Sequence, residues 1–350
     1  MRHNVPAMAF KIEQDCVAGS LVPYRVVLAW AAAHAGSPRV ERAEAEPGRV
    51  LAEAVIAPHA VPSRAQAATG GVALSATTTH GAGEYAPALV PARRVIAGDT
   101  LLANEDAVVP STSVDWVGPL AAVAAPVAAG TGCCAPGGVI EAGVTALPAG
   151  AVLGAAAMGL LAAMGILRVT LVRPPRVALL APPALTPLLT AAITADGGVV
   201  EALPDAGAHG AEWARAGQFD LIIAVGSLPG ATLNRGVAIQ PGEQGAFGDL
   251  DGVPAVCVPA DAEAALAAFL LLARPVLWAR AGRHPQPVSA RLTAPISSAL
   301  GYTQIAWLRL DSDTATPAGH GLHAATAGAH TIIPADSEGL AAGAQVDAWT

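Results

Sequence analysis

From residue 175 onwards, short apolar runs alternate with segments of helical periodicity. The runs predict a buried strand at Val177–Leu180 and three further strands at Val199–Ala202, Leu221–Val225 and Ala255–Val258. Between and after them the pattern predicts helices at Thr186–Ala195 and Ala262–Ala279 and a helical turn at Ala211–Gly217. This alternation is typical of a parallel α/β sheet with helices packed against it.

Both flanks of this segment follow other patterns. Ser20 is expected to cap a helix over Val26–Ala35, which Gly36 ends and a short strand at Arg39–Ala43 follows. From Pro58 to Gly138 the chain is rich in Pro, Gly, Thr and Val without a sustained 3.6-residue period, which predicts a β-rich insertion of short strands and turns. From Pro287 onwards, strand-like runs separated by Gly, Asp and Ser predict a small C-terminal β domain.

One apolar run reaches the lower length limit for a membrane span. Ala151–Leu167 holds 17 residues without a charge. Gly154, Gly159 and Gly165 interrupt it, and a strand-like segment follows at once from Arg168. We therefore interpret the run as a buried, alanine-rich helix and expect no membrane partner.

Composition narrows the function classes further. Hydrophobic residues make up 53% of the chain and aromatic residues only 4%, so small aliphatic side chains must build the core. The net charge is −8 and Lys11 is the only lysine, which argues against a nucleic-acid partner. The four cysteines follow no metal-binding spacing, and the N-terminus lacks a continuous apolar stretch. These features favour a reduced, cytoplasmic protein.

Four collinear segments resemble one known family. They are Gly48–Pro62 (GRVLAEAVIAPHAVP), Leu147–Leu180, Gly236–Pro259 (GVAIQPGEQGAFGDLDGVPAVCVP) and His330–Trp349. In order, they are similar to the MoeA-type molybdopterin molybdotransferases, the family that includes the gephyrin E domain. The resemblance extends over residues 20–350.

The resemblance implies a fold of the class α/β plus β, in an elongated and usually dimeric architecture. It implies a discontinuous first domain of residues 1–50 with 140–175, which would form a homodimer, and a β-rich insertion at 51–139. An α/β domain resembling the molybdopterin-binding fold is expected at 176–285, and a small β-barrel at 286–350. The boundaries drawn from the residue patterns agree with these.

The family reaction, by resemblance, inserts molybdate into adenylylated molybdopterin with magnesium. It needs carboxylates for the metal and cationic or backbone donors for the phosphates. The matched positions of this chain lack both. The stretch matched to a DNSAMDGYA motif is Ala65–Ala73, without either aspartate, and the loop matched to KPGKP is Gln240–Gln244, without either lysine. The turn matched to STGDEL is Ala181–Leu185, again without a carboxylate.

We therefore expect a MoeA-like protein of molybdenum-cofactor biosynthesis with weak or lost catalysis, and assign no catalytic or metal-binding residue. The residues expected to contact molybdopterin, or its adenylylated form, are Gly226, Ser227, Gly242 and Pro259. The N–H groups of Gly226 and Ser227, after a parallel strand, are of the kind that bind anions, although an ordinary turn gives the same pattern.

Two alternatives remain open. One is an active transferase that binds its metal through Asp99, Asp249 or Asp251. The other is a non-catalytic scaffold, carrier or chaperone for a molybdoenzyme or a protein of the cofactor pathway. Two further groups of residues are interpreted without a functional role. His320, His323 and His330 match no zinc spacing, and the vicinal Cys133 and Cys134 are typical of structural thiols.

Overall fold

The computed structural model describes residues 21–203 and 218–350. Contacts divide the chain into two units. The inserted unit is Val40–Val172, and the core unit contains the residues up to Arg39 together with Arg173–Thr350. The predicted cap at Ser20 and the predicted turn at Ala211–Gly217 lie outside the described residues.

The first helix belongs to the core unit. Helix α1 (Tyr24–His34) begins after Pro23, two residues before the predicted start, and its buried residues Val27 and Trp30 pack with the α/β sheet. The first boundary between the two units therefore follows Arg39. The domain expected from the sequence instead grouped residues 1–50 with 140–175.

The inserted unit consists mainly of short strands. In chain order these are β1 (Val40–Glu44), β2 (Val55–Ile56), β3 (Gln66–Ala67), β4 (Gly71–Leu74), β5 (Ala88–Val95), β6 (Ala107–Val109), β7 (Val114–Val117), β8 (Leu120–Val123), β9 (Cys133–Cys134), β10 (Thr145–Leu147) and β11 (Arg168–Val172). Five of them form an antiparallel sheet in the order β6-β4-β5-β8-β7. The remaining strands form the pairs β1–β11, β2–β10 and β3–β9. The strand content predicted between Pro58 and Gly138 is therefore present.

The apolar run Ala151–Leu167 does not form a long buried helix. Helix α2 spans only Ala155–Ala163, and Leu161 is its one buried residue. Gly165 adopts a φ of +70°, a left-handed conformation that ends helices, so the glycines that argued against a membrane span also shorten the helix. Among the described residues, one helix, Ala262–Ala281, is long and apolar enough to span a bilayer.

The core unit is built on a six-stranded mixed sheet. Its elements are β12 (Arg176–Leu180), α3 (Thr186–Ala195), β13 (Val199–Leu203), β14 (Leu221–Val225), β15 (Thr232–Arg235), β16 (Ile239–Gln240), β17 (Ala246–Leu250), β18 (Val253–Val258), α4 (Ala262–Ala268) and α5 (Arg274–Ala281). The order is β13-β12-β14-β18-β17-β15, with β16 outside it. The first four strands are parallel, as predicted. β17 pairs antiparallel with β18, and β15 pairs antiparallel with β17; neither strand was predicted.

The predicted helix over Ala262–Ala279 is present and continues to Ala281. It contains one π-helical turn, Phe269–Ala273, between α4 and α5. Pro275 follows this turn and cannot donate a backbone hydrogen bond, so the wider turn lets the helix pass the proline without ending. The helix packs on one face of the sheet, where Phe269, Leu272 and Leu277 are fully buried.

The C-terminal part of the core unit is a small β domain. It contains β19 (Val288–Leu292), β20 (Ile296–Ser297), β21 (Thr303–Asp311), β22 (Thr314–Gly319), α6 (Leu322–Ala325), β23 (Gly328–Ile333), β24 (Gly339–Leu340) and β25 (Gln345–Ala348). Strand pairing runs β23-β21-β22-β19-β25, and a bridge between His330 and Trp349 joins the two ends of this order. The pairings therefore close into a ring around apolar side chains.

A buried carboxylate lies where the chain passes between the units. Asp220 Oδ1 lies 3.4 Å from Arg39 Nη1 and 3.8 Å from Arg280 Nη1, and its Oδ2 lies 3.9 Å from Arg173 Nη2. The backbone N–H of Arg176 also donates to Oδ2, at 2.8 Å. Arg39 is the last core-unit residue before the inserted unit, and Arg173 is the first one after it. Asp220 therefore contacts the core unit on both sides of the insertion in the chain.

A second buried ionic group joins α3 to the long helix. Arg274 Nε donates to both oxygens of Asp196, at 3.2 and 3.0 Å, and Trp278 Nε1 donates to Asp196 Oδ1 at 2.8 Å. Arg274 Nη1 lies 3.5 Å from His330 Nε2. Because a guanidinium can only donate, His330 must accept there and is therefore neutral.

Stability should consequently fall in mild acid. Burial, and then the charge of Arg274, lower the pKa of His330 to about 3, against an ordinary value of 6.5. Below pH 6.5 the unfolded chain binds a proton that the folded chain does not, so the stability present above pH 6.5 is lost as the pH falls towards 3. At pH 5 the loss should reach about 2 kcal/mol.

Chemical denaturation at pH 7 and pH 5, compared with a His330→Gln variant, measures this contribution. The free energy of unfolding of the variant should fall less between pH 7 and pH 5 than that of the native chain. An equal fall in both proteins would contradict the role assigned to His330. Asp196, the carboxyl in the same cluster, is present in both proteins, so its titration cancels in the difference.

Candidate functional site

Three of the predicted site residues meet at one edge of the α/β sheet. Gly226 and Ser227 come directly after β14. Pro259 comes directly after β18, which is parallel to β14 and next to it in the sheet. Gly226 donates its N–H to the carbonyl of Val258 at 2.9 Å, and Ser227 donates its N–H to Val225 at 3.2 Å. Both N–H groups expected to face an anion already have acceptors within the protein, which weakens the case for an anion site here.

Gly242 lies in a loop packed against α4. The loop begins with a cis bond between Gln240 and Pro241. Gly242 has a φ of +120°, and a Cβ at this position would lie 3.2 Å from Ile239 Cδ1 and 3.4 Å from the carbonyl oxygen of Ala264. The position therefore suits only glycine. The N–H of Gly242 donates to a carboxylate oxygen of Glu243 at 3.2 Å, so an acidic group already satisfies it.

The two helices that start at this sheet edge offer little positive charge. Asp261 caps α4, because its Oδ1 accepts the N–H of Ala264 at 2.9 Å. At the start of α3, Thr186 Oγ1 donates to the carbonyl oxygens of Ala181 and Pro182, and Pro187 has no N–H. The segments that carry the predicted site thus present no cation of their own, since Ala181–Leu185, Gly226–Ser227 and Pro259–Asp261 contain neither lysine nor arginine.

The donor set at this edge does not fit a magnesium ion. Magnesium in such sites is held through one or two carboxylates together with phosphate and water oxygens. Asp261 is the single carboxylate of the edge segments named above, and it is occupied as a helix cap. Over the residues that the structure describes, no group of three or more His, Cys, Asp or Glu side chains could hold a metal ion.

The alternative metal ligands lie elsewhere. Asp249 and Asp251 lie beside the turn that precedes β18, at the opposite end of that strand from Pro259. Six residues of strand separate the two ends by about 20 Å. Asp99 belongs to the inserted unit, where its Oδ2 accepts the N–H of Ile96 at 3.0 Å. Asp249 and Asp251 therefore cannot share a metal with this sheet edge.

The acidic cluster of the inserted unit has structural contacts. Arg93 donates to both oxygens of Glu105, at 3.1 and 2.8 Å, and this hydrogen bonding lowers the pKa of the Glu105 carboxyl. Asp106 Oδ1 accepts the N–H of Ala76 at 2.6 Å. Glu105 and Asp106 therefore bond to other residues of the inserted unit. Cys133 and Cys134 are half-buried free thiols.

A cavity of about 400 Å³ lies between the Gly242 loop, the first turn of α4 and the C-terminal β domain. Its lining residues are Gln240, Pro241, Glu263, Ser297, Ser298, Ala299, Gln304, Ile305 and His320. None of them is lysine or arginine. The cavity has the size of an ordinary small-molecule site.

One carboxylate in this cavity is fixed in position. Glu263 Oε1 accepts two hydrogen bonds of 2.8 Å each, from Trp307 Nε1 and from the N–H of Gly321. Gly321 adopts a φ of +93°, a conformation that favours glycine and that brings its N–H to the carboxylate. No hydrogen bond joins the second oxygen, Oε2, to the described residues, so Glu263 presents one anchored and one open oxygen.

Two further polar residues line the cavity, and one of them lacks a partner. Ser298 Oγ is buried and makes no hydrogen bond with the described residues. Gln304 lines the same cavity and is only 6% exposed. Unpaired buried polar groups cost free energy unless a ligand or water satisfies them. The sequence analysis missed Glu263, Ser298 and Gln304, because no motif or spacing marks them.

Comparisons with known proteins agree on one family. Residues 23–165 match the family model described as MoeA N-terminal region (domain I and II). The chain is 29% identical over 375 aligned positions to a protein of Mycobacterium tuberculosis named molybdopterin molybdenumtransferase 2, with 86% of this chain and 92% of the relative covered.

Solved structures give the same result. A crystal structure titled molybdopterin biosynthesis MoeA protein, from Pyrococcus horikoshii OT3, superposes with a TM-score of 0.75 at 23% identity, covering 94% of this chain and 99% of that one. A second structure of that name, from the same species, gives a TM-score of 0.70 at 26% identity, with 94% and 98% covered. The family model and the curated relative confirm the resemblance to the MoeA-type family, and the solved structures show that the chain shares its fold.

Proposed function

We propose that this chain acts in molybdenum-cofactor biosynthesis, as a MoeA-like protein that handles molybdopterin but has weak or no capacity to insert molybdate. The relatives' names support the pathway. One observation supports the loss of catalysis: the Gly242 loop carries Gln240, Glu243 and Gln244, and the Glu243 carboxylate turns back onto the loop's own N–H.

Electrostatics explains why this loop should bind a pyrophosphate poorly. A charge-assisted hydrogen bond to a phosphate contributes on the order of 1.5–3 kcal/mol, and a carboxylate in its place is repulsive. Magnesium would ordinarily bridge phosphate and protein, but Asp261, the one carboxylate of the edge segments, already serves as the cap of α4. Binding energy for the adenylylated, phosphate-bearing end should therefore be small.

Isothermal titration with adenylylated molybdopterin, in the presence and absence of magnesium and molybdate, tests the proposal. We expect magnesium to change the dissociation constant by less than about twofold, because the phosphates and the protein share no metal ligands. A gain of tenfold or more with magnesium would contradict the proposal and restore the active transferase. If no heat is detected at all, the scaffold or chaperone alternative replaces molybdopterin handling.

The remaining proposals follow the family resemblance. We propose a homodimer, which sedimentation of the purified chain would test, and a cytoplasmic location. A molybdoenzyme or a protein of the cofactor pathway is the partner class to test if titration finds no molybdopterin binding.

A further inference from the structure

We propose that Asp220 and the three arginines around it form a binding site for a small tetrahedral dianion, such as sulfate or a phosphate group whose terminal oxygens are free. These four residues line one small pocket, called the arginine pocket below. The complete lining is Ser37, Arg39, Arg173, Pro175, Asp220 and Arg280, and all six residues belong to the core unit.

The arginine pocket lies at the opposite end of the parallel strands from the candidate functional site. Arg176 is the first residue of β12, and Asp220 directly precedes β14. Gly226 and Ser227 come after the other end of β14, and five residues of strand separate the two ends by about 16 Å. An anion in the arginine pocket therefore takes no part in the proposed function.

The pocket carries more positive charge than its one carboxylate balances. Three guanidinium groups line it together with the single carboxylate of Asp220, so three positive charges and one negative charge leave a formal charge of +2. Burial lowers the pKa of Arg280; the charge of Asp220 opposes this shift, and the charge of Arg39 adds to it. Arg39 and Arg280 therefore repel each other. A dianion would balance the excess charge completely, whereas a monoanion would balance half of it.

The guanidinium groups lie near Asp220 without bonding closely to it. Their distances from its carboxylate oxygens are 3.4 Å for Arg39, 3.8 Å for Arg280 and 3.9 Å for Arg173. A charge-assisted hydrogen bond between such groups is ordinarily about 2.7–2.9 Å long. Each guanidinium group has five N–H donors, so Asp220 engages only a minority of them. The others can donate to the oxygens of an anion.

The depth of the pocket fits one oxygen atom of such an anion. Its volume of about 20 Å³ exceeds the roughly 10–15 Å³ that one water-sized group needs. The side chain of Asp220 is 6% exposed, whereas those of Arg39 and Arg173 are 57% and 37% exposed. The carboxylate therefore lies deepest, and the two exposed guanidinium groups lie towards the solvent. The anion would place one oxygen in the pocket and its other oxygens between these two groups.

Titration calorimetry of the full chain at pH 8 and low salt, with three anions, tests the proposal. The probes are sulfate, methyl phosphate and methanesulfonate, of which methanesulfonate has the shape of sulfate but a single charge. We expect sulfate to bind saturably at one site and methanesulfonate to bind at least about tenfold more weakly, because it balances half of the excess charge. Methyl phosphate distinguishes the sources of the dianion: affinity equal to that of sulfate indicates a site that accepts phosphate esters, and weaker binding indicates a site for inorganic anions.

An Arg39→Gln variant locates the binding. Arg39 is exposed, and exposed ion pairs contribute little to stability, so the variant should fold. We expect it to bind sulfate at least about tenfold more weakly than the native chain, because it lacks one charge-assisted contact. Arg309→Gln is the matched control, since it removes the same charge from an exposed position of the core unit outside the pocket. Screening by salt should keep its effect on sulfate affinity below about twofold.

An Asp220→Asn variant should act in the opposite direction. The asparagine carbonyl can still accept the backbone N–H of Arg176, while the loss of the carboxylate charge leaves all three guanidinium charges unbalanced. We expect sulfate to bind this variant at least about threefold more tightly than the native chain. Because Asp220 is buried, its melting temperature is measured alongside, and the Arg39→Gln result decides if the variant does not fold.

Four results would each overturn the proposal. The first is that neither sulfate nor methyl phosphate binds the native chain saturably, and the second is that methanesulfonate binds as tightly as sulfate. The third is native sulfate affinity in an Arg39→Gln protein that melts at the native temperature. The fourth is an equal loss of affinity in Arg309→Gln and Arg39→Gln, which would assign the effect to the net charge of the chain and not to the arginine pocket.

Discussion

Purified protein is expected to insert molybdate into adenylylated molybdopterin at least about a thousandfold more slowly than molybdopterin molybdenumtransferase 2 of Mycobacterium tuberculosis assayed beside it. Losing three charge-assisted contacts, each on the order of 1.5–3 kcal/mol, corresponds to about three to six powers of ten. The loop Gln240–Gln244 and the segment Ala181–Leu185 supply no such contact through a cationic side chain. A rate within tenfold of the relative's would show that other residues perform the reaction.

Restoring charge to the loop gives the matched experiment. Gln240→Lys and Glu243→Lys together should tighten the binding of inorganic pyrophosphate by at least about tenfold, because each ammonium adds a charge-assisted contact. Glu243→Lys also removes the carboxylate that now accepts the N–H of Gly242. Gln286→Lys adds one positive charge, as Gln240→Lys does, at an exposed position of the core unit and is the control for the single Gln240→Lys variant. If Gln286→Lys tightens pyrophosphate binding as much as Gln240→Lys does, the effect comes from the net charge and not from this loop.

Breaking the buried pair of Arg274 and Asp196 should give the largest loss of stability. The exposed fractions of the two side chains are only 11% and 8%, and removing one partner from such a pair costs about 3–5 kcal/mol because the other charge stays buried. Arg274→Met should therefore lower the free energy of unfolding by about that amount, as measured by urea denaturation. Burial raises the pKa of Asp196 and Arg274 opposes this shift, so the variant should take up a proton at Asp196 more readily.

A double variant separates charge from packing. Arg274→Met with Asp196→Leu leaves no unpaired charge and should recover most of the loss, as replacement of a buried pair by apolar residues is often close to neutral. Arg173→Met is the exposed control, since its guanidinium lies 3.9 Å from Asp220 and is 37% exposed. Additive losses in the double variant would mean that Arg274 acts through its contact with the Trp278 ring and not through Asp196.

Much of the α/β sheet was predictable because its central strands, β12, β14 and β18, are almost fully buried. Leu221–Val225 and Thr186–Ala195 appear with the predicted bounds, since a five-residue apolar run has the length of a strand and a helical period marks a helix. The antiparallel strands β15 and β17 were missed. Thr232–Arg235 lies at the sheet edge with two exposed residues, and a half-exposed edge strand has a weak apolar pattern.

Only the part of the candidate site that follows from the order of the strands could be predicted from the sequence. Gly226 and Pro259 could be placed together because parallel neighbouring strands end at the same sheet edge. The cavity depends instead on contacts between residues distant in sequence: Glu263 meets Trp307 and Gly321 across more than 40 positions. No local pattern reports such a contact, so its free oxygen becomes visible only in the fold.

Two of the arginines beside Asp220, Arg39 and Arg173, flank the inserted unit in the chain. The backbone N–H of Arg173 donates to the carbonyl of Arg39 at 2.7 Å, so the chain leaves and re-enters the core unit at adjacent points. An insertion whose two ends touch can be excised with little effect on its host, because a short linker replaces it without strain. Joining Arg39 to Arg173 through a few glycines in place of Val40–Val172 should therefore yield a smaller protein that retains the α/β sheet and the long helix.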